Sequence, residues 1–146
     1  MIDPELITRK IVLVMRDLDA LRPIAAKHRA AYLDSGIDEA AAERYLERMI
    51  GRMIDINYHV LTESGHPPPA DYYASFMQLA DLGVLDRELA GRIAPCAGLR
   101  NRIVHDYNEL DPSKVFEALH AAMRDIPQYL AKVNELVLRQ DQPPSR

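Results

Sequence analysis

A single cysteine, Cys96, leaves no partner for an intramolecular disulfide and no thiolate set for a zinc cluster. That suits a reducing compartment. No stretch reaches the ~18–20 consecutive apolar residues that cross a bilayer, and the opening Met1-Ile2-Asp3-Pro4-Glu5 lacks the basic and apolar regions of a secretory signal. The expectation is a cytoplasmic chain without membrane association. Glycine is scarce, at six residues, and no convincing period-two apolar run appears, which argues against a sheet. Nor is there a basic excess: the formal charge is −4, so a general nucleic-acid coating protein is excluded, though not a local site for one phosphate.

What is present is helix-forming and globular. Of the 146 residues, 48% are hydrophobic and 27% charged, enough for one domain around one core. Apolar residues recur at helical spacing almost throughout. Ile7, Ile11, Val14, Leu18 and Leu21 form a stripe that predicts a first helix over roughly 4–34, kinked or divided at Pro23. Asp34-Ser35-Gly36 reads as a stop, and Asp38 as the cap of a second helix over roughly 38–63. Its inner stripe is Ala42, Leu46, Met49, Met53, Ile56 and Val60.

After the stiff Gly65-His66-Pro67-Pro68-Pro69 break, Asp71 starts a third helix to about Leu82, stopped by Gly83. Asp86 caps a fourth over roughly 86–106, bent at Pro95. Asp111-Pro112 opens a last helix to about Arg139, with Pro127 as a bend, and its core face is Val115, Leu119, Met123, Ile126, Leu130 and Val133. The expected fold is all-α: one domain over 1–146, an antiparallel bundle of four to five helices with its core at about 4–139 and a loose tail from Gln140 to Arg146.

The chemistry concentrates in Arg100-Asn101-Arg102-Ile103-Val104-His105-Asp106-Tyr107, near a predicted helix end and after the small Cys96-Ala97-Gly98. Such a cluster is either a solvated helix end or a site. This segment resembles the R-x4-H-x-Y signature of the HEPN toxins, the ribonuclease half of HEPN–MNT (minimal nucleotidyltransferase) toxin–antitoxin modules of the type VII kind. Asn101, directly after the arginine, fits the wider pattern. The resemblance extends through Asp55-Ile56-Asn57-Tyr58-His59, the proline-rich break, the segment from Asp71 to Val84, and Asp111-Pro112, so it spans roughly residues 5–137.

The resemblance implies a dimerising helical bundle, a HepT-like ribonuclease, that cleaves RNA without a metal or other cofactor. Arg100 and His105 would be catalytic and Asn101 would assist. Tyr107 would accept AMP from the partner nucleotidyltransferase antitoxin, which blocks the site, and a hetero-oligomer with that antitoxin is a further expectation. The chemistry is consistent: imidazole passes protons in both directions near neutrality, and a forked guanidinium stabilises charge on phosphorus. The alternative is a HEPN protein without catalysis, a nucleotide-binding or assembly module.

At ~100° per residue, Arg100 and His105 lie about 140° apart on an unbroken helix, Asn101 and His105 form an i,i+4 pair, and Arg100 nearly eclipses Tyr107. Tyr107 is therefore expected at the rim of the site. Either the helix loosens before His105, or the site combines residues of two subunits.

Asp55 and His59, also i,i+4, read as a surface pair or as a supporting contribution to the same cleft. Arg102 reads as a phosphate contact or a solvated side chain. A metal site from His59, His66, His105 and Asp55 lacks tight ligand spacing. Tyr58, Tyr72, Tyr73 and Phe76 suit base stacking, core or dimer interface. The alternating charges from Glu43 to Arg52 read as a solvated helix face.

Overall fold

The computed structural model describes residues 1–143, with the side chain of Tyr107 outside the described set. Seven α-helices follow one another, with no strand among the described residues: α1 (Pro4–Ala25), α2 (Arg29–Leu33), α3 (Gly36–Glu63), α4 (Tyr72–Asp81), α5 (Arg87–Ile93), α6 (Cys96–His105) and α7 (Pro112–Gln140). No helix among the described residues is long and apolar enough to cross a membrane. The part of the expected loose tail from 144 to 146 lies outside the described residues.

The amphipathic stripes fall where the apolar spacing puts them. Every predicted inner residue of α1 and α3 is buried, and on α7 only Met123 is partly exposed. Helix α3 is the central element, packed by α1 and α7 on one side and by α4 and α6 on the other. Each stripe removes several Val, Leu or Ile side chains from water at roughly 1.5–3 kcal/mol apiece, far more than intrinsic helix propensity contributes.

The boundaries differ from the expectation in three places. The first helix divides after Ala25 and not at Pro23: Ala26 N–H reaches the Arg22 carbonyl at 3.1 Å and Lys27 N–H the Ile24 carbonyl at 3.2 Å, closing the end. Ser35, not Asp38, caps α3; its side chain accepts from Asp38 N–H at 3.2 Å, while the Asp38 carboxylate pairs with Lys27. The expected fourth helix is two helices. Pro95 has no N–H to continue the ladder, and turn-type bonds from Ala97 to Ala94 and from Gly98 to Pro95, both 3.1 Å, restart it as α6. Pro127, by contrast, lies within an unbroken α7.

Among the described residues Asp17, Asn57, Ser75 and Asp125 are buried, and each is partnered, whereas the buried Tyr32 hydroxyl is not. Asp17, in the middle of the α1 stripe, takes Arg48 at 3.2 Å and Arg52 at 2.8 Å from α3. Asp125 on α7 takes Arg124 at 2.9 Å and Arg92 of α5 at 3.3 Å. Asn57 donates to Ser75 Oγ at 3.1 Å and accepts from the Tyr129 hydroxyl at 2.5 Å, so α3, α4 and α7 meet in one hydrogen-bonded knot. Ser75 in turn donates to the Tyr72 carbonyl at 2.6 Å. Removing one member of such a knot strands the others away from water, which is why it fixes the register of the three helices.

Candidate active site

Helix α6 carries the motif, and it is short. Leu99 and Ile103 are buried and pin one face to the core, which leaves Arg100, Asn101, Arg102 and His105 on the remaining arc. The helix does not loosen before His105, its last residue. Asp106 N–H still reaches the Arg102 carbonyl at 2.8 Å, and only Asp106 leaves helical geometry, at φ −126° and ψ 33°. Of the two geometries open to the sequence, local loosening is therefore corrected: Arg100 and His105 stay on well-separated faces of one helix. Tyr107 begins a separate 3-10 turn, Tyr107–Glu109, so the helical eclipsing of Arg100 and Tyr107 also fails. The expected place of the Tyr107 side chain at the rim lies outside the described residues.

Arg100 is half-buried in a cleft of about 240 Å³ between α3, α4 and α6, shared with Arg48, Gly51, Arg52, Asp55 and Tyr72. Its guanidinium carbon lies 5.5 Å from the centre of the Tyr72 ring, a cation–π contact. Its Nη1 makes a long contact of 3.5 Å to Asn101 Oδ1, and its Nε is buried without a hydrogen-bond partner. A forked cation without a carboxylate partner among the described residues, lining an open cleft, is placed to donate to an anionic oxygen. His105 is exposed at the helix end.

The other predicted residues divide. Asp55 joins Arg100 at the cleft and pairs with Lys10 at 3.2 Å. His59 is turned to the start of α1, where its Nε2 accepts from Asp3 N–H at 2.9 Å. The structure does not join Asp55 and His59 in a hydrogen bond. Arg102 projects to the opposite flank of α6, into a groove of about 650 Å³ against α7; its Nη1 is 3.6 Å from where a Cβ on Gly98 would stand. That groove is the larger cavity, yet it holds neither Arg100 nor His105. Cys96 lines it, with burial pushing its thiol up to about 12, so the nucleophilic thiolate is suppressed.

Two features lay outside the sequence reading. Arg48 and Arg52 belong to the run expected to be a solvated face, but they converge on the buried Asp17 and line the Arg100 cleft. The available signal was an acid inside the α1 apolar stripe opposite an i,i+4 arginine pair. The aromatics also separate: Phe76 is buried in the core, Tyr73 is exposed, and Tyr72 forms the cleft wall.

Residues 15–133, most of the bundle and all of α6, match the family described as Ribonuclease HepT-like. The chain belongs to the HepT-like ribonuclease family. The resemblance read from residues 100–107 and their surroundings holds at that level, as does the expectation of an RNA-cleaving enzyme. A tRNA nuclease HepT of Aphanizomenon flos-aquae is 34% identical over 137 residues, covering 94% of this chain and 93% of that protein. Among solved structures, a tri-AMPylated Shewanella oneidensis HEPN toxin in complex with its MNT antitoxin is 22% identical, with a TM-score of 0.80 over 89% of this chain and 97% of that one. YutE of Bacillus subtilis, a cytosolic protein of unknown function, gives a TM-score of 0.85 at 15% identity over 99% and 96% of the two chains. The HepT-like bundle is thus one fold carried by widely divergent sequences.

Proposed function

We propose that this HepT-like chain is a metal-independent endoribonuclease toxin that works as a homodimer and is silenced by a minimal nucleotidyltransferase antitoxin. The observation that carries the reading is the Arg100 guanidinium, half-buried at a cleft with an unused donor, on the same helix as an exposed His105. In the reaction the RNA 2′-hydroxyl attacks the adjacent phosphorus, and the 5′-oxygen of the next nucleotide leaves. His105 takes the hydroxyl proton or returns one to the leaving oxygen, and Arg100 holds the charge that builds on the phosphorane. Asn101, beside the guanidinium, orients it or binds a phosphate oxygen; Arg102 steers the RNA from the other flank, and Asp55 supports the cleft from α3, whereas His59 is committed to the start of α1. The products are a 2′,3′-cyclic phosphate and a 5′-hydroxyl end.

An unbroken α6 separates Arg100 from His105, which favours a site composed across a two-fold axis that sets the α6 helices face to face. For silencing, the antitoxin directs the Tyr107 phenol oxygen onto the α-phosphorus of ATP; pyrophosphate leaves and AMP remains on the tyrosine. The relatives support this module, since one is a tRNA nuclease and another is an AMPylated toxin held by its antitoxin.

The test uses antitoxin-free protein and a single-stranded RNA in EDTA. Cleavage with cyclic-phosphate ends is expected, with Arg100→Ala and His105→Ala each slower by about 100-fold or more at unchanged helicity. Full activity of His105→Ala overturns the assignment.

A further inference from the structure

The cleavage reading uses α6, whereas most of the Arg100 cleft is built by α3 and α4. Three guanidinium groups reach this cleft: Arg48, Arg52 and Arg100. Arg48 and Arg52 share one carboxylate, Asp17. The two carboxylates at the rim are matched by other cations, Glu47 by Arg44 at 3.3 Å and Asp55 by Lys10 at 3.2 Å. Arg100 has no carboxylate partner among the described residues. The cleft is therefore locally cationic in a chain whose formal charge is −4.

Its walls are specific as well. The Tyr72 ring stands against Arg100 on one side and edge-on to Tyr58, with centroids 6.0 Å apart, on another. The floor is Gly51, in the middle of α3, where an added Cβ would meet no atom within 4 Å. Backbone is thus open to an occupant at that point.

An aromatic wall, surplus guanidinium charge and a bare helix floor suit a flat base with its phosphate. We propose that this cleft is a subsite for one unpaired ribonucleotide adjacent to the scissile bond. Its base packs against Tyr72 over Gly51, and its phosphate lies on Arg48 and Arg52. The inference rests on Arg100 addressing the neighbouring, scissile phosphate. It makes Tyr72 a specificity residue that selects unpaired RNA and tolerates any base, because every free base has a π-face and a paired base is held in its own stack.

Gly51→Leu fills the cleft from its floor, where no atom stands in the way, and removes a glycine from a helix interior, so the fold is kept. With the full chain and a single-stranded oligoribonucleotide, Gly51→Leu and Tyr72→Leu are expected to raise KM roughly tenfold while kcat moves less, the pattern of lost uniform binding. Tyr72→Phe, which keeps the ring, should bring KM back to within about twofold of the parent. Anisotropy with an uncleavable 2′-O-methyl oligonucleotide should show the same order of affinities, and a duplex of the same sequence should bind parent and Gly51→Leu alike. Unchanged KM and affinity in both leucine variants overturn the subsite and leave the cleavage reading intact. If the parent protein cuts nothing yet its oligonucleotide affinity falls in both variants, the subsite stands and the cleavage reading fails.

Discussion

Tyr107 lies one residue past the backbone break at Asp106, in a 3-10 turn and outside α6. AMP on its oxygen would add bulk and a phosphodiester charge close in sequence to Arg100, opposing an RNA backbone. Tyr107→Phe is expected to keep much of its cleavage activity and to escape the antitoxin supplied with ATP and magnesium; mass spectrometry should find AMP on the parent peptide alone. Equal silencing of both proteins without any adduct would leave simple binding as the means of inhibition. Elsewhere at this scale, the Asp125 carboxyl is held below its ordinary range, chiefly by hydrogen bonds from Arg124, with burial opposing and Arg92 adding to the effect. A carboxyl depressed in the folded state stabilises fully above its unfolded pKa of about 3.9, and the contribution fades as pH falls through the folded value. Urea midpoints should therefore fall for Asp125→Asn at pH 7, and the gap to the parent should narrow below about pH 4.

At the scale of elements, the site depends on short helices held by their ends. Helix α4 has ten residues, and its first, Tyr72, forms the cleft wall. It begins where the Asp71 carboxylate accepts from Ala74 N–H at 2.7 Å, satisfying one of the donors that a helix start leaves open. Asp71→Ala should cost about 1 kcal/mol, seen as a lower urea midpoint with an unchanged slope. A larger loss accompanied by a changed slope would mean that α4 unfolds as a unit. Helix α6 shows the same economy from the other direction. Separated from α5 at Pro95 and ended at His105, it sets Arg100 and Arg102 toward different cavities and leaves the imidazole at its tip.

For the whole molecule, the straight α6 leads to the proposal of a site shared by two copies. Each centre would take Arg100 from one protomer and His105 from its partner. Mixing inactive Arg100→Ala and His105→Ala proteins tests this directly. A heterodimer of the two has one centre with both residues mutated and one with both intact, so after subunit exchange activity should return to about a quarter of the parent level. Light scattering should report a mass near twice 16.5 kDa. No recovery from a mixture that has exchanged subunits would confine each site to one chain.

Periodicity alone determined the architecture. A 3.6-residue repeat of apolar side chains is a local property, so the stripes at Ile7–Leu21, Ala42–Val60 and Val115–Val133 specified an all-α bundle and its buried faces. The eight residues from Arg100 to Tyr107 likewise pointed to the family, because their types and spacing are carried by the chain itself. Helix ends were less legible. Asp38 and Ser35 are both acceptable caps by type, and only the chain entering α3 selects the serine. What the tertiary structure decided is company. Asp17 gains Arg48 and Arg52 from 31 and 35 residues away, and Tyr72 comes to rest on Arg100 from another helix. Asp55 and His59, neighbours on one helix face, are drawn to different partners, Lys10 on α1 and the N–H of its cap Asp3. Pairing between helices depends on how their surfaces interlock and on which groups burial leaves without water, and neither quantity exists until the bundle has closed.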